Sequence, residues 1–187
     1  MLEVSVKPQE YTIENSNGEV EIHVFKGGLL QLEHSLISLS KWESMYKKPF
    51  LTSDSKTVQE TIDYIKCMTI NKNVNPDIYY FISNKNIDDI NKYIDDPRTA
   101  TTFGRQKTNN RRYGRETITS EIIYYWMIAL QIPVKFETWH LNRLLTLIRV
   151  CEIKNQAQNP NRGKKGMSAA DRHKLNMSRR AAKHSSG

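Results

Sequence analysis

Pro133 separates two apolar segments of helical period, and that break constrains the chain more than any other single feature. Ile122, Ile123, Trp126, Met127 and Leu130 recur at helical spacing before Ile132-Pro133. Leu141, Leu144, Leu145, Ile148 and Cys151 resume the pattern after it. Proline cannot continue the first helix, and it biases the preceding residue away from helical geometry. The spacing therefore predicts two helices between Thr117 and Asn155, folded into an antiparallel hairpin whose facing stripes form the core.

The chain before this pair reads as a strand region followed by short helices. Residues 10–26 alternate apolar and polar on both sides of Asn17-Gly18, a dipeptide suited to a two-residue type I′ turn. A β-hairpin is expected there, with Tyr11, Ile13, Val20, Ile22 and Val24 on one face, a solvated His23 on the other, and Gly27-Gly28 at its end. Leu2, Val4 and Val6 offer a third strand. Leu30 to Glu33 offers a short strand before a helix over Ser35 to Lys47, which presents Leu36, Leu39, Trp42 and Met45 or Tyr46 on one side. Pro49 stops that helix, and Phe50-Leu51 fold back as an apolar plug. Thr57 and Glu60 have capping-box spacing and open a helix to about Thr69. Pro76 fits the first turn of a short helical piece, and Asn86 to Asp89 start another that Pro97 ends. Ile78, Phe81, Ile82, Ile87, Ile90 and Ile94 then form a layer against the central helix pair, whose first helix is capped by Thr119 or Ser120.

Charge is concentrated in two places. The formal net charge of +8 comprises +5 from residues 98–116 and +7 from residues 157–187, which leaves −4 for the rest of the chain. The first basic segment has no apolar period and places Phe103 and Tyr113 among arginines. It reads as a loop whose composition is compatible with stacking and phosphate neutralisation. The second follows a Gln/Asn/Pro/Gly linker and allows a basic helix from Ser168 to Lys183, with few apolar residues to dock it. The resulting expectation is a mostly helical α+β domain over residues 1–156, its N-terminal β-hairpin packed on a helical core, and a basic flexible segment over residues 157–187.

The residues point away from catalysis and from membranes. Phosphate-loop, dinucleotide, zinc-protease, nucleophile-elbow and paired CxxC motifs are all missing. The five histidines are scattered. Glu33-His34-Ser35 sets an acid, an imidazole and a hydroxyl in consecutive positions, which one strand or helix cannot aim at one point. His140 is expected to make a structural hydrogen bond, while Asn142 and Arg143 either orient a partner or face solvent. Cys67 and Cys151 fit reduced, buried thiols. Hydrophobic residues make up 38% of the chain at a mean hydropathy of −0.64. No run approaches the roughly 18 apolar residues of a membrane span, and the N-terminus lacks the order of a secretory signal. The reading is a cytoplasmic, non-enzymatic protein without cofactor or metal.

The blocks EHSLISLSKWES, KKPFL, TVQETIDYIKCMT, TSEIIYYWMIALQIP and FETWHLNRLLTLIRVCEIKN, with the basic segment after them, resemble a family of tail assembly chaperones of tailed bacteriophages. The likeness runs from about Leu29 to the C-terminus, and WHLNRLLTLIRVC is its most specific piece. It implies an assembly factor of the host cytoplasm, absent from the finished virion, that binds the tape-measure protein and promotes assembly of the tail tube, with the tube protein as a second partner. Arg105, Arg111, Arg112, Arg172, Arg179 and Arg180 are the candidate partner contacts. A nucleic-acid-binding phage protein using the same basic segments is the alternative. A structural head or tail connector is another.

Overall fold

The computed structural model describes residues 1–14, 16–52, 54–103 and 117–158. The fold is mixed α+β and rich in helix. Four strands come first: β1 (Leu2–Val6), β2 (Gln9–Glu14), β3 (Val20–Phe25) and β4 (Gly28–Leu32). Among the described residues five α-helices follow: α1 (Leu36–Tyr46), α2 (Val58–Met68), α3 (Asn84–Asp95), α4 (Ser120–Ala129) and α5 (Leu141–Gln158). Two 3-10 helices, Pro76–Phe81 and Val134–Thr138, stand between them. One compact unit covers Met1–Arg149.

The strands form one long antiparallel ribbon with a break in it. β2 pairs with β3, and β1 with β4, in a single register: Glu14 faces Val20, Gln9 faces Phe25, Val6 faces Gly28 and Leu2 faces Leu32. The hairpin therefore does not end at Gly27-Gly28, and Leu2, Val4 and Val6 belong to its far end rather than to a third strand beside it. Pro8 has no N–H to donate, and close to it Gly27 adopts φ 77°. A Cβ on Gly27 would lie 2.7 Å from the Val6 carbonyl oxygen.

Across this break the inward side of the ribbon changes parity. In β1 and β4 the even residues Val4, Val6, Leu30 and Leu32 are buried, whereas beyond the break Phe25 is buried and Tyr11 half-buried. Phe25 and Tyr11 meet Phe81 at ring centroid distances of 4.6 and 5.1 Å. The expected hairpin face is thus split. Tyr11 and Ile13 share a side with His23 and Glu21, while Val20, Ile22 and Val24 share the outer side with Glu14, Thr12 and Glu10. The connection is residues 15–19, longer than a two-residue turn, and this odd-length loop sets the pairing that separates the two apolar sets.

The outer edge of β4 is completed by the chain after α2. Ile70 N–H donates to the Gln31 carbonyl at 2.9 Å. The Asn71 side-chain amide accepts from Gln31 N–H at 3.0 Å and donates to the Leu29 carbonyl at 2.9 Å. Beneath the ribbon, Ile78, Ile90 and Tyr93 join Val4, Val6 and Leu30 in one apolar cluster with Trp42, Tyr64 and Met68. The layer formed by the 3-10 helix Pro76–Phe81 and α3 therefore covers the ribbon, where the sequence pattern had suggested the C-terminal helix pair.

The hub is α1. Ser35 caps it in a box with Ser38, and Leu36, Leu39 and Trp42 are buried. Trp42 donates its indole N–H to the Glu60 carbonyl at 2.9 Å and packs edge-on against Phe50, the expected apolar plug. Tyr46 rather than Met45 turns inward: its hydroxyl donates to Asp63 at 2.6 Å, and Met45 is exposed. α2 begins with the expected reciprocal Thr57–Glu60 box, and Glu60 also pairs with Lys48.

α4 packs on α1 and not lengthwise on α5, so the anticipated antiparallel hairpin is not the core. The 3-10 helix after Pro133 lengthens the connection and turns the chain away. Thr119 makes no side-chain cap. Instead the buried Glu43 of α1 accepts Ser120 N–H at 2.7 Å with one carboxylate oxygen and Phe50 N–H at 2.9 Å with the other. α5 starts against β4 and α3: Leu141 N–H donates to the His34 carbonyl, and the Asn142 amide donates to the Ile94 and Asp96 carbonyls at the end of α3. Asn142 is thus a structural cap.

Candidate protein-binding surface

Two places could carry function by composition: the polar seam around His34 and His140, and the apolar surface of α4. The seam is used up by the fold. Glu33 accepts from the Tyr93 hydroxyl at 2.6 Å and pairs with the Met1 ammonium at 2.7 Å. The Tyr64 hydroxyl lies 2.6 Å from His34 Nδ1, and Ser35 caps α1. Consecutive residues therefore serve three separate partners, as expected of a stretch that cannot aim three side chains at one point. His140 Nε2 donates to the Tyr93 carbonyl at 3.0 Å, and its Nδ1 is buried without a partner.

Burial in this seam dictates the protonation states. Desolvation, with the neighbouring His140 adding to it, lowers the pKa of His34 to about 3, and burial lowers that of His140. Both rings are neutral at pH 7. Burial pushes the Tyr64 hydroxyl far up, so it stays protonated in its hydrogen bond with His34. Among the described residues no three His, Cys, Asp or Glu side chains converge as metal ligands. Cys67 and Cys151 are free and half-buried. Among the described residues no helix is long and apolar enough to cross a membrane.

The surface of α4 is different. Its sequence, SEIIYYWMIA, is apolar on nearly every side, a composition expected of a helix covered all round. Ile123 and Met127 are fully buried, yet Tyr125 and Ile128 are 67% and 69% exposed. These two lie three residues apart and so share one stripe, with exposed Ala129 beside them. Val134, 54% exposed, follows at the start of the 3-10 helix. The Tyr124 hydroxyl donates to Glu137 at 2.7 Å, which ties that 3-10 helix to α4 and holds the stripe on rigid elements. Burial and the Glu137 carboxylate together raise the Tyr124 pKa well above its usual value.

Aromatic and cationic side chains continue along the chain. Phe136 and Trp139 stack at 4.1 Å, and the Arg143 guanidinium lies 4.2 Å from the Trp139 ring. Arg143 is thus held on an aromatic face instead of standing free. Arg149 lies 4.1 Å from the ring of Phe103, which gives that phenylalanine a cation–π partner inside the fold. Tyrosine, tryptophan and arginine are the residues that dominate protein interfaces. An apolar pair one turn apart on a rigid helix is chemically suited to the face of another amphipathic helix.

The arginines singled out by sequence, Arg105, Arg111 and Arg112 in the first basic segment and Arg172, Arg179 and Arg180 in the second, lie outside the described residues. So does Tyr113. Tyr125, Ile128 and Val134 were not singled out by their sequence pattern. The available signal was the all-round apolarity of α4, which exceeds what a single covered face requires. No family model matches the chain, and neither a curated protein nor a solved structure matches it.

Proposed function

We propose that this chain is a non-catalytic tail assembly chaperone of a tailed bacteriophage, which binds the tape-measure protein in the host cytoplasm and is left out of the finished virion. The observation that carries the reading is the exposed Tyr125–Ile128 stripe of α4, an apolar surface on a helix otherwise packed into the fold. The resemblance of the blocks from Leu29 onward supplies the identity of the partner. A protein that keeps a long helical client soluble needs an apolar helix-binding surface and no reaction centre. The basic segments add charge that steers encounter with acidic partners, the tube protein among them.

Co-expression with the tape-measure protein of the same genome tests this. A soluble complex is expected, and replacing Tyr125 and Ile128 together by lysine and aspartate should abolish it while leaving the thermal unfolding of the chain unchanged. Mass spectrometry of purified particles should find no copy of this chain. Failure of the wild-type chain to bind or solubilise the tape measure would overturn the reading. A salt-dependent shift of a DNA or RNA probe, lost on deleting residues 157–187, would replace it with nucleic-acid binding.

A further inference from the structure

The two edges of the β1–β4 pair are treated differently by the fold. On β4 the odd residues turn their backbone groups outward, and Ile70 and Asn71 satisfy them at Gln31 and Leu29. On β1 the odd residues also face outward, because the Ser5 carbonyl points to α3, where the Asn86 amide donates to it at 3.0 Å. Glu3 shares that direction with Ser5, since alternate residues of a strand repeat it. The edge borders a groove of about 700 Å³ that runs the length of β1, with residues of α3 such as Asp89 and Lys92 on its far side. α3 packs along β1, and from it Asn86 makes the hydrogen bond to the edge.

The sequence along the edge is self-complementary. Glu3-Val4-Ser5-Val6-Lys7, set antiparallel to itself about Ser5, places glutamate opposite lysine at both ends, valine opposite valine within, and serine opposite serine at the centre. Glu3, Ser5 and Lys7 are all exposed. Elsewhere in the groove Asp89 pairs with Lys92 and Asp96 with Arg98, and Glu3 itself accepts from the Gln31 side-chain amide at 3.1 Å. Edges are commonly guarded by charged side chains, lysine above all, or by proline, as Lys7-Pro8 stands at the end of this one. Opposite charges at equal distances from a central residue do the reverse, because each meets its complement when two identical strands align.

We propose that β1 is a homodimerisation edge, on which a second copy of this chain adds its own β1 antiparallel about Ser5 to make a continuous β4–β1–β1–β4 sheet. Ser5 of each protomer exchanges backbone hydrogen bonds with the partner subunit's Ser5, and Glu3 faces the partner subunit's Lys7. Asn86 gives up the Ser5 carbonyl to the incoming strand. The arrangement is isologous and closes at two copies.

Sedimentation equilibrium of the untagged full chain at neutral pH and low salt tests the register directly. The wild-type chain should show a monomer–dimer equilibrium. Glu3→Lys and Lys7→Glu should each weaken it by about tenfold or more, since each turns two attractive cross-strand pairs into repulsive ones. Mixing the two single variants should restore dimers, as should the double variant E3K/K7E. Ser5→Pro should abolish dimers while retaining the fold, because the lost N–H faces away from β4. A wild-type chain that stays monomeric, single variants that dimerise as well as wild type, or a mixture that fails to recover would each overturn the proposal. Should Ser5→Pro fail to fold, the charge exchange alone decides.

Discussion

The two halves of the β ribbon share one register and one alternating pattern but opposite fates. In the β1–β4 half, Leu30 and Leu32 are completely buried, and the following residues run directly into the His34 seam and the cap of α1. In the β2–β3 half, Val20, Ile22 and Val24 are 64%, 72% and 59% exposed, and the hold on the body passes through Tyr11 and Phe25 against Phe81. Alternation makes a strand. Whether its apolar side is covered depends on what lies beneath, and here the Pro8–Gly27 break decides which parity faces down.

The strongest way to break the anchored half is acid. His34 is neutral when folded and has an ordinary pKa near 6.5 when unfolded, so below about pH 6.5 the unfolded chain binds the proton that the folded chain refuses. Stability is fully present above that pH and should decline as the pH falls toward about 3, by on the order of 4 kcal/mol from this residue. Urea titrations across that range should show the decline, and His34→Gln should remove much of it. An unaltered pH dependence in the variant would remove His34 as its source. Leu30→Ala comes next: truncating a fully buried leucine should cost about 3 kcal/mol in the same assay.

Gly27→Ala addresses the break itself. The positive φ and the approach to Val6 both oppose a Cβ, and a loss of roughly 2 kcal/mol is expected. A neutral result would mean that the ribbon can continue past Pro8 without its present bend. The smallest effect belongs to the free half. Ile22→Ser should change stability by less than about 0.5 kcal/mol, and a much larger loss in thermal unfolding would show that a partner surface, such as a second copy, covers β3 in solution.

What could be read from sequence was what is local. The Thr57–Glu60 box, the Trp42 side of α1, the Phe50 plug and the strand at residues 20–25 each depend on neighbours within a few positions. The face of the hairpin was misassigned because Asn17-Gly18 looked like a complete turn, whereas the pairing of Glu14 with Val20 makes it part of a longer connection. The C-terminal helix pair was misjudged because periodicity reveals an apolar side without naming its partner: α4 found α1, and Asn142 found α3. The candidate surface was hidden for the same reason. Ile122, Ile123, Trp126, Met127 and Leu130 satisfy the helical template, and nothing in that template says that Tyr125 and Ile128 are left outside.

Glu43 carries a consequence for the order in which the molecule assembles. One of its oxygens is satisfied by Phe50, seven residues away, and the other by Ser120, 77 residues away. During synthesis the α1–Phe50 turn can close long before α4 exists, while the second bond waits for a loop closure of far greater span. Docking of α4 is therefore expected to follow the main folding barrier. Weakening the Ser120 bond should shorten the lifetime of the native state by hastening unfolding, with little change in the rate at which it is reached.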